Sequence, residues 1–266
     1  MPEPTNKLNI CLIGYGSIGK DVYKKIHERG LDDIEAVDKR PGPEVAYNSV
    51  SDYCAGMIER GRKPDVFIIA VWSPAQVLEV CKDIVPYLDS VQCTSAPLIS
   101  VETTAAPGLY KNIREIVGDI PHVVLFQERF NPNDDAHGTF NQPMVMCGDY
   151  EHGRKFWTRY MMYENIVVTD NIEMAEISHL VDNSVRYVDI AMAEELQLLV
   201  GSKENFDELR RLCNTKWNIN IMETRTGIGG HCLKKDIQEI NKALPKNKIF
   251  NLAFAINTEF EKQYGE

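Results

Sequence analysis

Over roughly the first 170 residues, short apolar runs alternate with segments of helical spacing. Leu8-Asn9-Ile10-Cys11-Leu12-Ile13 reads as a strand, and Val22, Tyr23 and Ile26 give the segment after it one apolar stripe. Ile34–Val37 is a second strand, and residues 51–61 have helical spacing. Asp65–Trp72 is almost wholly apolar, the pattern of a strand covered on both faces. It breaks at Ser73-Pro74, and a helix is expected from about Ala75 to Tyr87. Residues 98–103, Val123–Phe126 and Pro143–Cys147 are further short strands. This β-α repetition predicts an α/β fold, a Rossmann-type doubly wound parallel sheet with helices on both faces.

The pattern changes near residue 170. Asp170 and Glu173 have the spacing of a capping box. Ile177, Leu180, Val181, Ser184, Val188, Ala191, Met192, Leu196 and Leu199 then mark one long helix ending near Val200. A further helix is expected over 203–214, with more helix in the remainder. Two domains follow: 1–169, a nucleotide-binding α/β domain, and 170–266, a smaller all-α substrate and dimerisation domain around the long helix.

The first chemical signal lies where strand gives way to helix. Gly14-Tyr15-Gly16-Ser17-Ile18-Gly19 is a G-x-G-x-x-G turn in strand–turn–helix context. Gly14 permits the turn, Gly16 admits a pyrophosphate, and Gly19 allows close helix–strand packing, while the helix N-terminus offers free N–H groups to phosphates. Asp38, 19 residues past Gly19, ends the second strand where an acid accepts from the ribose hydroxyls of NAD. Lys39 and Arg40 follow, a pair that would tolerate a 2′-phosphate, but the carboxylate repels that phosphate, so NAD is expected over NADP. Ligands of such sheets bind beyond the carboxyl ends of the strands, which directs attention to Gly14, Asp38, Ser73, Thr104 and Glu128.

The second signal is Gly227-Ile228-Gly229-Gly230-His231-Cys232-Leu233-Lys234-Lys235-Asp236. Glycines before a cysteine, with Lys235 and Asp236 after it to tune its charge, are the setting of a reactive thiolate; the alternative is a buried cysteine after a tight turn. On the long helix, His179, Asn183 and Arg186 fall at i, i+4 and i+7 and share a face. That face is either a solvated stripe or, if it meets the Cys232 loop, a source of a base and of a donor to a substrate oxygen.

Composition narrows the classes. The chain has 266 residues, 44% apolar and 26% charged, long enough for two domains with a core. A net charge of −10 argues against a nucleic-acid or anionic-membrane partner. The N-terminus lacks the pattern of a secretory signal, and no apolar run approaches the ~20 residues of a membrane span. Seven scattered cysteines without C-x-x-C fit a reducing cytoplasm with neither disulfide framework nor metal site; Cys11, Cys81, Cys93 and Cys147 read as core.

Six segments in order resemble the UDP-glucose/GDP-mannose dehydrogenase family, particularly its UDP-N-acetylmannosamine branch. Gly14–Gly19 resembles its NAD turn, and Val71-Trp72-Ser73-Pro74 its V-P-T-P strand end. Glu102–Gly108 is similar to S-T-V-P-P-G, and Gln127-Glu128-Arg129-Phe130-Asn131-Pro132 to P-E-R-x-x-P. Ala175–Asn183 is similar to A-E-x-x-K-L-x-E-N, and Gly227–Asp236 to G-x-G-G-H-C-x-x-x-D. The resemblance implies an NAD-dependent dehydrogenase acting on a small-molecule substrate, a homodimer, and a place in polysaccharide biosynthesis. It implies two successive oxidations, alcohol to aldehyde to acid, with Cys232 as covalent nucleophile. Asp236, Thr104 and Glu128 would position water and handle protons, and Asn183 would donate to the oxyanion. Ser17, Ile18, Lys39, Val71, Ser73, Pro74 and Thr104 would join the glycines and Asp38 around the cofactor. Glu128, Arg129, Asn183, Arg186, Arg225, Gly229 and Lys235 would face the substrate.

Two departures qualify this. The family's lysine is His179 here, which opens a two-electron dehydrogenase or reductase, or a non-catalytic NAD-binding regulatory subunit. The family's C-terminal nucleotide-gripping domain would lie past Glu266, so a truncated form is expected, and Arg225 in Thr224-Arg225-Thr226 replaces the glycine of P-G-P and is suited to a phosphate or carboxylate on a smaller substrate.

Overall fold

The computed structural model describes residues 7–90, 96–104, 107–129 and 140–265. Within them the chain forms two compact units, 1–176 and 177–266. Cys93, Ala105-Ala106 and Phe130-Asn131-Pro132 lie outside the described residues.

The first unit is the expected α/β layer structure. Its strands are β1 (Asn9–Ile13), β2 (Asp33–Val37), β3 (Val45–Tyr47), β4 (Val66–Ile69), β5 (Leu98–Val101), β6 (His122–Phe126), β7 (Met144–Gly148) and β8 (Ile166–Val168). They form one eight-stranded sheet in the order β3-β2-β1-β4-β5-β6-β7-β8. The strand order reverses between β1 and β4, the topological position at which doubly wound sheets bind ligands. The sheet is not parallel throughout: β7 runs antiparallel to β6, then pairs in parallel with β8.

Helices α1 (Ser17–Arg29), α2 (Val50–Glu59), α3 (Pro74–Ser90), α4 (Leu109–Val117) and α5 (Tyr150–Trp157) cover both faces. On one face Tyr53 and Met57 of α2, Val77 and Ile84 of α3 and Ile113 of α4 pack with Phe67, Ile69, Ile99 and Leu125. On the other, Val22 and Ile26 of α1 and Phe156 and Trp157 of α5 pack with Ile10, Leu12, Ile68 and Val124. Every residue of β4 is at most 3% exposed, which is why its sequence shows no polar alternation. Cys11, Cys54, Cys81 and Cys147 are buried in this core. Burial pushes the Cys54, Cys81 and Cys147 thiols up to about 12 and Cys11 up as well, so none is a ready nucleophile.

The long helix α6 runs from Ile172 to Val200. Its cap is Asn171, whose Oδ1 accepts from the Met174 N–H at 3.1 Å, and not Asp170 as the capping-box spacing implied. The first turns of α6 also finish another helix. α4 starts at Gly108, which has no side chain to cap it. The buried carboxylate of Glu176 fills that role, accepting from Gly108 N at 2.6 Å and Tyr110 N at 2.8 Å. Replacing Glu176 by Ala leaves two donors unsatisfied and should cost about 2–3 kcal/mol; urea denaturation showing a loss below about 0.5 kcal/mol would assign the capping to solvent instead.

The second unit is helical, as expected. It holds the rest of α6 with α7 (Lys203–Cys213), α8 (His231–Ala243) and α9 (Ile249–Tyr264). Leu180, Tyr187 and Ala191 of α6 pack with Ile237 and Ile240 of α8, Ala253 of α9 and Ile228. Phe206 of α7 packs with Ala193 and Ile221 in a smaller cluster.

Candidate functional site

The glycine turn of the first unit has the geometry a dinucleotide needs. Gly14 has φ +96°, and a Cβ there would lie 2.5 Å from the Ala70 carbonyl oxygen. A Cβ on Gly19 would lie 1.9 Å from the Gly14 carbonyl oxygen, so only glycine lets α1 start against β1. Gly16 differs: nothing lies within 4 Å of its would-be Cβ. It is the N-cap of α1 and supplies no side-chain hydrogen bond, so the first-turn N–H groups are left to an anion.

Asp38 closes this turn. Its Oδ2 accepts from the Tyr15 N–H at 2.7 Å and its Oδ1 from the Arg40 N–H at 2.8 Å. Burial acts to raise its pKa, but these two N–H groups and the Arg40 guanidinium outweigh it and hold the carboxyl below its usual range. A groove of about 980 Å³ runs beside it, lined among others by Tyr15, Gly16, Ser17, Lys20, Asp38 and Arg40. The open face of Gly16, the uncapped helix start and an ionised Asp38 together fit the pyrophosphate and ribose of NAD. Ile18 is half-buried within the turn, and Lys39 is exposed.

The other strand ends carry the remaining residues. Val71 is half-buried after β4, and its carbonyl accepts from the Thr103 hydroxyl at 2.7 Å, tying the ends of β4 and β5. The Ser73 hydroxyl accepts from Gln76 N at 3.4 Å at the start of α3, where Pro74 takes the first helical position. Thr104 is half-buried beyond β5. Glu128, 4% exposed beyond β6, accepts from the Arg129 N–H at 2.9 Å. The Arg129 guanidinium donates to the Pro143 carbonyl at 2.9 Å.

In the second unit, Cys232 is exposed and sits in the first turn of α8, not in a loop. Gly230, with φ +82°, is the N-cap and provides no side chain, so first-turn N–H groups stand beside the thiol. One turn on, Asp236 is fully buried. Its Oδ2 accepts from Asn183 Nδ2 at 2.6 Å, and Lys235 Nζ lies 3.5 Å from its Oδ1. Burial raises the Asp236 carboxyl, with Lys235 and Asn183 pulling the other way. Asn183 also lies 3.4 Å from Nε2 of His179, which is 7% exposed. So His179, Asn183 and Asp236 form one contact chain between α6 and α8. Arg186 is not part of it: its side chain is exposed, and Nη1 reaches the Met222 sulfur at 3.4 Å. Gly229 and Arg225 are exposed on the segment before α8.

Two buried polar residues have no role in the sequence reading: Ser100 in β5 and Glu102 directly after it, the latter only the first residue of a resembling segment. The Trp157 indole N–H donates to the Ser100 hydroxyl oxygen at 3.0 Å. An acid directly after an apolar strand is the one cue that could have found Glu102.

The strand order, the glycine turn and the acid at the end of β2 define the fold as a Rossmann-type dinucleotide-binding fold. Residues 173–259 match the UDP-glucose/GDP-mannose dehydrogenase family, central domain. A relative, UDP-N-acetyl-D-mannosamine dehydrogenase of Methanococcus vannielii, is 24% identical over 266 residues, which cover 85% of this chain and 60% of that protein. This chain thus spans less than two thirds of the length of that curated relative. The structure of UDP-D-ManNAc dehydrogenase from Pyrococcus horikoshii superposes with a TM-score of 0.75 at 20% identity, covering 95% of this chain and 69% of that one. Mycobacterium tuberculosis 3-hydroxyisobutyrate dehydrogenase shares the fold at TM-score 0.67 and 15% identity, covering 98% of this chain and 96% of that one. No helix among the described residues is long and apolar enough to cross a membrane.

Proposed function

We propose that this protein is an NAD-dependent dehydrogenase that oxidises the primary alcohol of a nucleotide sugar, or of a smaller sugar-like or acidic alcohol, through the aldehyde to the acid. The observation that carries it is the set Cys232, Asn183 and Asp236: an exposed thiol at a helix start, one turn from a buried carboxylate held by a carboxamide at 2.6 Å. NAD, when bound at the glycine turn, accepts a hydride in each oxidation. Asp236, Thr104 and Glu128 position water and take up the protons released. The Cys232 sulfur adds to the aldehyde carbon, giving a thiohemiacetal whose oxidation leaves a thioester. Water cleaves that thioester, releasing the acid and restoring the thiol. Asn183, whose amide nitrogen holds Asp236 and touches His179, donates to the developing oxyanion. Arg225, Arg186, Arg129, Lys235 and the Gly229 backbone bind the substrate's anionic and polar groups. Two copies associate through the apolar residues left exposed on α6 and α9, among them Val185, Met192, Ile249 and Leu252.

A second reading rests on His179. It is buried against Asn183, where the resembling family has a lysine, which favours a two-electron oxidation that stops at the carbonyl. Counting NADH against substrate consumed tests both. Two NADH per molecule is expected for the four-electron route and one for the two-electron route. No NADH from any nucleotide sugar or sugar alcohol, in a protein that binds NAD, would overturn the enzymatic reading.

A further inference from the structure

Glu102 is a carboxyl group in an apolar layer. It is 1% exposed, and it lies on the sheet face covered by Trp157 and Phe156 of α5. Continuing the β5–β6 register by one residue sets it beside Phe126, with Glu128 two residues further along the same face of the neighbouring strand. The Glu128 N–H donates to the Glu102 carbonyl at 3.3 Å. On the other side a donor chain converges on the acid. The Trp157 indole donates to Ser100, and the Ser100 hydroxyl donates to Glu102 Oε1 at 2.8 Å. This leaves Oε1 as a pure acceptor, the part a carbonyl oxygen plays in a neutral acid, and places any proton on Oε2. Oε2 is buried and has no hydrogen-bond partner among the described residues.

We propose that Glu102 and Glu128 form an acid–carboxylate pair that holds a single proton, with Glu102 as the positioning residue for Glu128. This rests on the reading above that Glu128 handles protons in the reaction. Two carboxylates in one apolar site do not both ionise. The asymmetry decides which keeps the proton. Glu128 accepts a backbone N–H from Arg129, which favours its charged form, whereas Glu102 accepts only from a neutral hydroxyl among the described residues. Burial first, and the charge of Glu128 second, push the Glu102 carboxyl up, with Ser100 acting weakly against them. The charged group acting on Glu102 is Glu128; α5 presents Trp157, and its own strand presents Ser100. The neutral acid thus leaves the charge of the pair on Glu128, at the outer end of β6.

The proton is detectable without any activity. A carboxyl that is neutral when folded and ionised when unfolded stabilises the fold at acid pH, and that contribution is lost as pH rises above the ordinary carboxylate range. The wild-type unfolding constant, divided by that of Glu102→Gln, should therefore rise about tenfold per pH unit there, since one proton is released on unfolding. Parallel curves would overturn the shared proton. Infrared spectra of the full chain at neutral pH give a second reading that does not depend on that variant's folding. A protonated-carboxyl C=O band should be present in wild type and move to higher wavenumber in Ser100→Ala; its absence would also overturn the proposal. The positioning role is read separately from the pH profile of kcat/KM: in Glu102→Gln the limb belonging to Glu128 should move by about a unit or more, on the scale of one close charge pair. An unmoved profile in an active enzyme overturns the positioning role. If wild type shows no turnover, the earlier functional reading fails, while the unfolding and infrared results still decide the proton.

Discussion

Replacing Cys232 by Ala should lower acid formation on the order of 10⁴- to 10⁶-fold, the scale on which loss of a catalytic nucleophile or its partner acts. NAD binding should be unchanged, and any residual turnover should yield one NADH per substrate in place of two. The reason is that no other described cysteine is placed to act as a nucleophile. Cys11, Cys54, Cys81 and Cys147 are buried with raised thiols, and Cys213 is half-buried at the end of α7. Among the described cysteines Cys232 alone combines exposure with a helix start, and Asp236, held by Asn183, lies one turn away. Single-turnover mixing with quenching for acid separates the two oxidations. Acid appearing in the variant at the wild-type rate would rule out the thioester, leaving hydration of a free aldehyde before the second oxidation.

A contrast within the glycine turn has the second-largest effect. Gly19→Ala puts a methyl group 1.9 Å from the Gly14 carbonyl oxygen and 3.8 Å from Ala70 Cβ. Backbone on one side cannot yield as a flexible side chain does, so α1 must lift from β1. A cost of about 3 kcal/mol is expected, the upper end of what overpacking costs. Gly16→Ala meets nothing within 4 Å, and its φ of −78° suits any residue. Its stability should change by less than about 0.5 kcal/mol. Its methyl group would nonetheless occupy the space left for a pyrophosphate, and NAD affinity should fall about tenfold or more, at least ~1.4 kcal/mol. Thermal melts with and without NAD distinguish the two variants, because a ligand raises the melting point only as far as it binds the folded state. Equal NAD-induced shifts in wild type and Gly16→Ala would place the cofactor elsewhere.

The α/β class, the glycine turn and the long helix were legible because each rests on local chemistry. β4 is buried on both faces, so its run of Val66-Phe67-Ile68-Ile69 stands out without knowledge of its neighbours. Gly14, Gly16 and Gly19 are spaced by the turn itself. What escaped depends on distant parts of the chain. α4 has no N-cap of its own because Glu176 caps it from 68 and 66 residues away. The antiparallel entry of β7 is set by the route the chain takes to it, which no strand pattern records. Asp170 and Asn171 are both good capping residues, and only the tertiary placement of α6 selects Asn171. The glycines ahead of Cys232 read as a loop, yet Gly230 is the N-cap of α8, and the apolar positions Ile237 and Ile240 that bury the helix come after the motif. Glu102 looked like a flank of Thr103-Thr104; its weight comes from Trp157, 55 residues later, which covers the strand end.

The sequestered thiols of the first unit have a practical outcome for handling this protein. Electrophilic reagents and peroxide act on sulfurs that solvent can reach, and among the described residues that means Cys232 first, with Cys213 half-buried. A covalent fragment library screened by intact mass would therefore sample the neighbourhood of Asn183 and Asp236 without engineered labels. The same selectivity makes storage in air a route to a preparation that folds normally and melts normally but has been capped at Cys232.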